Sequence, residues 1–425
     1  MTLPFIYQVK PTENDDMKGY PAIARIITNI QHALYEHFHE NFHVYSLNIG
    51  HYELWSILQE DVKSESDELV HIAQVFEKLE GKTFEFENEE DLSHFRVIHS
   101  SQNQVYAYRD SGVAFAQIPY FDETNHQMYY STILATDDKA LTAFLQSISK
   151  RLWLKSKNEV LVFTDTMHGI EQDHKPINRE LTREDVVLNP KIKNDLYAVL
   201  DQFFNEDRSF FQTYNVPYKR GVLLYGPPGN GKTSLVKAIA NTIEAPVAYW
   251  QITEYTNSDS ITTVFNSVNR LSPMILVIED IDSMPSGVRS YFLNTLDGAT
   301  SKEGIFLIGT TNYPEKIDPG LMNRAGRFDR AYEIKLPDEA LREQFIERLG
   351  FDHFLSKEAQ NALTKKTKGF SFAQIKELFI SSALEWHQKE TIHIDEIIKS
   401  MEKEQKKSKK GDWFEGNEDQ HVGFY

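Results

Sequence analysis

An α/β fold built on a parallel sheet, preceded by an α+β region, is predicted by three observations. From about residue 179, strand-like apolar runs alternate with helix-like stretches, the pattern of a parallel sheet covered by helices. One run, Gly221-Val222-Leu223-Leu224-Tyr225, passes straight into the glycine-rich Gly226-Pro227-Pro228-Gly229-Asn230-Gly231-Lys232-Thr233. Before residue 179, short alternating segments lie close together with turn residues between them, as in an antiparallel sheet carrying helices. The expected divisions are an α+β N-terminal domain over 1–178, an α/β subdomain over 179–337, a helical lid over 338–401 and a charged, flexible tail over 402–425.

In the first region, Ile23, Ile26, Ile27, Ile30, Leu34 and Phe38 give helical periodicity from Pro21 to about Asn41. Alternating segments at 95–98, 104–108, 113–118 and 128–134 predict strands. The polar stretch 171–178 reads as a linker. After Leu336-Pro337-Asp338 the strands stop and helices continue to about Met401; the lysine-rich remainder reads as a solvated tail.

Composition narrows the function classes. The chain has 425 residues, is 40% hydrophobic and contains no cysteine, which removes disulfides, thiolate metal sites and cysteine nucleophiles. The cysteine-free composition, the lack of a signal-like start at Met1–Phe5 and the lack of a long apolar run lead to the expectation of a cytoplasmic protein with no membrane partner. Of the net charge of −18, residues 1–180 carry −13, which disfavours a phosphate backbone as partner of the N-terminal domain and makes nucleic acid an unfavoured ligand.

The motif at 226–233 is the G-x-x-x-x-G-K-[ST] phosphate loop between a strand and a helix. Its glycines let backbone N–H groups turn onto a polyphosphate, and the helix that starts near Lys232 adds its positive end. Gly226, Pro227, Pro228, Gly229, Asn230, Gly231, Lys232, Thr233 and Ser234 are therefore the expected nucleotide-binding residues. Lys232 is placed on the outer phosphates and the Thr233 hydroxyl on Mg²⁺. The strand Met274–Ile278 ends in Glu279-Asp280-Ile281-Asp282, acids positioned to hold Mg²⁺ and polarise water. A third strand, Ile305–Thr310, delivers Thr311 and Asn312 to the same edge, where Asn312 can bond the attacking water or the terminal phosphate.

With these motifs, residues 180–400 resemble the AAA branch of the AAA+ ATPases. Pro217–Tyr225, the acidic strand end, Thr311-Asn312, the arginine-bearing stretch 318–330, Asn294-Thr295-Leu296-Asp297-Gly298 and Gly369-Phe370-Ser371 carry the resemblance. It implies a P-loop NTPase AAA+ module of parallel sheet plus helical lid, using ATP and Mg²⁺. Asn312 would be sensor 1, and Arg324 and Arg327 would be arginine fingers acting on a neighbour's γ-phosphate. The partners implied are further copies of the chain in a ring, usually a hexamer, and a protein client remodelled at the expense of ATP.

Two departures from the family pattern matter. The usual order at the acidic strand end is Asp then Glu; here Glu279 takes the metal-side position and Asp280 the water-side position. The loop Thr253–Asp259 lacks the aromatic–apolar–glycine pattern of protein-threading members and offers only Tyr255. Both departures resemble the branch of the mitochondrial ATPase that moves the folded Rieske iron–sulfur protein, or a soluble bacterial ATPase of similar layout.

Two other functions compete. His39-Glu40-Asn41-Phe42-His43 fits H-E-x-x-H and, on a helix, would make a zinc protease fused to an ATPase. Strand-like alternation from Val44 argues that the helix stops before His43, and 11 of the 15 histidines lie before residue 181, which raises chance matches. The lysines at 403–410 raise the second alternative, a nucleic-acid-remodelling ATPase. The terminal Gly423-Phe424-Tyr425 is a weak match to tails that dock on proteases.

Overall fold

The computed structural model describes residues 5–7, 20–46, 52–77, 79, 81–88, 91–121, 126–177, 181–297, 303–321 and 327–410. Two compact units divide the chain, residues 1–154 and 155–425.

The first unit contains β1 (Phe5–Tyr7), α1 (Tyr20–Phe38), β2 (His43–Tyr45), α2 (Tyr52–Lys63), β3 (Leu69–Phe76), β4 (Lys82–Asn88), β5 (Asp91–His99), β6 (Gln104–Tyr108), β7 (Val113–Phe121), β8 (Gln127–Ala135) and α3 (Asp138–Ser156). Its main sheet runs β1-β3-β6-β7-β8-β2 and is antiparallel except where β1 lies on β3. Alternation along β6 and β7 sends the two sets of side chains into different cores. Val105, Ala107, Ala114, Ala116 and Ile118 meet Ile26, Ile30 and Leu34 of α1. Tyr106, Tyr108, Val113 and Phe115 meet Leu58 of α2 and Phe144 and Ile148 of α3. The small alanines line the α1 face and the aromatics the other. Strands β4 and β5 form a separate two-stranded sheet.

The second unit starts with a hairpin, β9 (Glu159–Thr166) and β10 (Gly169–Pro176). It continues through α4 (Pro190–Phe203), α5 (Ser209–Thr213), β11 (Lys219–Tyr225), α6 (Lys232–Thr242), β12 (Val247–Gln251), α7 (Ser258–Arg270), β13 (Met274–Glu279), α8 (Ser286–Asp297), β14 (Ile305–Thr311) and β15 (Arg330–Glu333). The seven strands run β10-β9-β12-β13-β14-β11-β15, all parallel except the outermost, β10. One face buries Trp250, Leu276, Ile278 and Leu307 against Val264 and Phe265 of α7 and Phe292 of α8. Each such side chain contributes ~1.5–3 kcal/mol on burial. Across the sheet, Phe203 of α4 stacks on Tyr218 at 4.5 Å and meets Phe306 at 5.2 Å.

This arrangement corrects the expected domain border. Residues 171–176, expected in a linker, belong to β10, and β9 pairs directly with β12, so the unit begins near residue 155 and not at 179. The reason is that an edge strand needs no apolar alternation: seven of the eight residues of β10 are exposed.

Four helices, α9 (Glu339–Leu349), α10 (Lys357–Lys366), α11 (Phe372–Lys389) and α12 (Ile394–Lys410), form the lid around Ile346, Phe351, Leu363, Ile375 and Leu378. Asp338 and Ser356 cap α9 and α10, and Ser371 with Gln374 makes a capping box at α11. The tail expected from 402 is helical up to Lys410, because α12 runs on past Met401; residues 411–425, with Gly423-Phe424-Tyr425, lie outside the described residues.

Candidate active site

Parallel strands deliver their carboxyl ends to one edge, and here three of them carry the predicted chemistry. Strand β11 ends at Tyr225 and opens into the phosphate loop; β13 ends at Glu279; β14, between them, ends at Thr311. The loop backbone is shaped as a cradle. Gly226 has φ 140° and a Cβ there would lie 2.3 Å from the carbonyl oxygen of Ile334, while Gly229 has φ 76° and a Cβ there would meet that of Ala373 at 2.8 Å. Side chains are excluded at both places. No side chain caps the N-terminus of α6, which leaves its amides facing the loop as an anion site.

Lys232 is buried, and its Nζ donates to the carbonyl oxygens of Gly226 at 2.7 Å and Pro227 at 3.0 Å. Burial lowers its pKa, with Asp280 opposing the shift. A cation held at a loss of hydration beside carbonyl oxygens is matched by phosphate oxygens. Pro227, Pro228 and Gly229 are exposed, as are Thr233 and Ser234 on the first turn of α6. Asn230 is fully buried and donates from Nδ2 to the Pro227 carbonyl at 3.2 Å, so it holds the loop's shape.

The acids form a second focus. Glu279 is half-buried, and burial, then Asp280, raises its pKa against the opposing Lys237. Burial, then Asp282, raises that of Asp280 against Lys232. Asp280 sits at φ 51° and ψ 48°, a left-handed conformation rare for any residue but glycine, Asn and Asp. Its amide donates to Thr310 Oγ1 at 3.3 Å, and Asn312 Nδ2 donates to its Oδ1 at 3.4 Å. Asp280 and Asn312, 32 residues apart, are thus brought together. Crowded acids whose ionised forms are disfavoured make a hard, oxygen-rich seat for a divalent cation, and Thr233 and Glu279 are the residues that would hold Mg²⁺. Among the described residues there is no cluster of three or more His, Asp or Glu that could hold a metal ion.

Three contacts escaped sequence reasoning, the first made by an acid already read at the strand end. Asp282 accepts from Thr311 Oγ1 at 2.6 Å and locks the strand end that carries Asn312. The buried guanidinium of Arg342 donates to the carbonyls of Pro337 and Thr364, tying the start of the lid to α10. In the lid, Ala373 N donates to Gly229 O at 3.0 Å, so the N-terminus of α11 contacts the phosphate loop directly. Only the acidic run around Asp282 was a readable signal.

The arginines part from expectation. Arg324 lies outside the described residues. Arg327 is 4% exposed; its Nε donates to Asp297 Oδ1 at 2.6 Å, a second nitrogen pairs with Asp297 Oδ2, and a third donates to the Gly320 carbonyl. A finger must extend to another subunit, whereas this guanidinium is spent inside its own chain, joining α8 to the loop after β14.

The H-E-x-x-H geometry is not formed. Helix α1 ends at Phe38, His39 turns to φ 59°, and His43 opens β2, so the two histidines share no helical face.

Residues 222–336 match the family model "ATPase family associated with various cellular activities (AAA)". The "probable mitochondrial chaperone bcs1" of Schizosaccharomyces pombe is 28% identical over 59% of this chain and 57% of its own length. An "ATP-dependent zinc metalloprotease FtsH 2" of Methylacidiphilum infernorum is 32% identical over 48% and 35%. The "ATPase family gene 2 protein" of Saccharomyces cerevisiae is 31% identical over 41% and 25%. The chain therefore spans little more than half, or less, of the curated relatives it matches. The expected cytoplasmic setting is overturned by a relative described as mitochondrial: missing cysteines and missing apolar runs do not distinguish one compartment from another. Among the described residues no helix is long and apolar enough to cross a membrane. With the loop, the acids and Asn312 gathered on one sheet edge inside the matched segment, residues 222–336 carry an AAA-family ATPase domain, and the chain is similar to proteins that include the bcs1 chaperone.

Proposed function

We propose that the chain hydrolyses ATP with Mg²⁺ and uses the turnover to remodel a protein client, as a chaperone-like ring of identical subunits, with six as the expected number. The observation that carries the reading is the convergence of Lys232, Glu279, Asp280 and Asn312 at adjacent carboxyl ends of one parallel sheet. Lys232 binds the outer phosphates, Asp280 takes the proton of the attacking water, and Asn312 orients that water through its bond to Asp280. Bound Mg²⁺ neutralises charge on the phosphates. A relative described as a chaperone supports the client half of the reading.

The ring needs an arginine supplied in trans, and Arg324 is the residue we assign to it, because Arg327 is occupied by Asp297. Turnover by the purified full chain should require Mg²⁺ and rise per subunit with protein concentration. Mixing Arg324→Ala with Lys232→Ala subunits should restore part of the lost activity, by seating an intact arginine beside an intact loop. Concentration-independent turnover by a monomer defeats the ring. ATP-dependent protection of a heat-denatured test protein such as citrate synthase checks the chaperone role. Zinc-dependent casein cleavage, or stimulation of turnover by DNA or RNA, would replace it with one of the competing functions.

A further inference from the structure

The strand beside the acid-bearing one carries a hydroxyl with nothing to bond. Tyr249 lies in the middle of β12, and its Oη is buried; among the described residues no hydrogen-bond partner reaches it. A buried hydroxyl gives up its bonds to water, so folding disfavours one that finds no substitute.

Strand register shows what this hydroxyl can reach. Strands β12 and β13 run parallel, with Tyr249 opposite Val277 and Gln251 opposite Glu279. Alternate residues of a strand share a face. Tyr249 and Glu279 therefore lie on one face of the sheet, while Trp250, Leu276 and Ile278 fill the other against α7 and α8. Glu279 is two residues nearer the active-site edge, an offset of ~6.6 Å, which a tyrosine side chain can span. The electrostatics agree. Burial, then the charge of Glu279, raises the pKa of Tyr249, so the phenol keeps its proton at neutral pH and is available as a donor. Lys237, whose charge acts on Glu279, stands one turn after Thr233 on α6. The phenol thus sits behind the carboxylate that, with Thr233, would hold Mg²⁺.

The identity of the acid gives the hydroxyl a task. This chain has Glu279 where the family pattern has Asp. The extra methylene adds a torsion that must be frozen before the carboxylate can face a cation. Carboxylates that hold metals are oriented by hydrogen bonds from behind. We propose that Tyr249 is a positioning residue for Glu279: when Mg²⁺ and nucleotide occupy the site, its hydroxyl donates to the Glu279 carboxylate and fixes which oxygen faces the cation. The inference rests on the nucleotide site proposed above.

Tyr249→Phe removes the hydroxyl and keeps the ring. In full-length protein holding one equivalent of a non-hydrolysable ATP analogue, Mn²⁺ followed by its EPR signal should bind about 10-fold more weakly in the variant than in the parent. Binding of a fluorescent ATP analogue in EDTA should be the same in both. The melting temperature of the metal-free variant should not fall, because the hydroxyl has no partner there to lose. In a Glu279→Ala background, Tyr249→Phe should cause no further loss of Mn²⁺ affinity. Unchanged Mn²⁺ affinity in Tyr249→Phe overturns the proposal. So does a lower melting temperature of the metal-free variant, the mark of a hydroxyl already engaged in the fold, or a further loss in the Glu279→Ala background, the mark of another route. A parent that binds no analogue fails differently: it removes the nucleotide site itself, and this inference with it.

Discussion

The first unit and the active-site edge of the second treat buried polar groups in opposite ways. In the first, Asp61 is 5% exposed and fully engaged: Tyr108 donates to it at 2.5 Å, and Arg151 at 2.8 and 2.5 Å from two nitrogens, joining α2, β6 and α3. Asn103, with no exposed surface, likewise ties β6 to the end of β3 through the backbone of Phe76. In the second unit, Lys232 is pressed against carbonyls and the acids at the strand ends crowd one another. An antiparallel sheet whose polar groups neutralise each other makes a stable body. A parallel sheet that gathers unneutralised groups at one edge makes a site, and it gives up some stability there.

Four tests can break or sharpen this contrast, beginning with the largest effect. Lys232→Ala should weaken ATP binding by about 100-fold or more, since it removes the fixed cation of the cradle, with the melting temperature unchanged or raised. Titration with a fluorescent analogue, alongside calorimetry, checks both halves; unchanged ATP affinity would remove the nucleotide site.

Next comes Asp280→Asn, which should retain ATP and lose turnover by roughly 10²-fold or more, the scale of a lost general base. If Glu279→Gln shows that behaviour while Asp280→Asn stays active, the roles of the two acids are reversed.

The third pair probes saturation itself. Arg151→Ala leaves Asp61 buried with one partner and should destabilise the first unit by about 2 kcal/mol, below the value for a fully buried pair because Arg151 is partly exposed; ATP binding should persist. Arg327→Ala should lower stability by a similar ~2 kcal/mol, which distinguishes a strut from a finger: a finger would change turnover in urea-resistant protein. Denaturant melts measure both.

The smallest effect is in pH. His71 donates to or accepts from Gln104 at 2.8 Å, and burial lowers its pKa, with His99 adding to the shift. Acid therefore protonates the unfolded chain before the folded one, so stability falls as pH drops below the ordinary histidine value of about 6.5, by at most about 1.4 kcal/mol per pH unit for one proton. His71→Gln should remove that slope from melts taken between neutral and mildly acidic pH.

The parts of the molecule readable in the sequence are those whose physics is local. The phosphate loop is contiguous, α1 announces itself by a 3.6-residue apolar period, and β6, β7 and β8 by alternation. The acids and Asn312 were legible because each follows its own apolar strand. What failed was long-range or unpatterned. The partner of Arg327 lies 30 residues away and that of Arg151 lies 90, separations that no periodicity encodes. Strand β10 is polar along most of its length, and the lysine-rich end of α12 has the same composition as a solvated coil.

The hairpin of β9 and β10 means that the catalytic half of this chain is not an interchangeable cassette. A fragment cut at residue 179 would strip β9 from β12 and leave the backbone of Val247–Gln251 as a raw edge. Such an edge, with Trp250 and Ala248 beside it, is a template for aggregation. Any recombination that joins a different N-terminal region to this unit must make its joint before residue 159 so that β9 stays on β12. A foreign domain joined later in the sequence would inherit the motifs of the motor without the strand that completes its sheet.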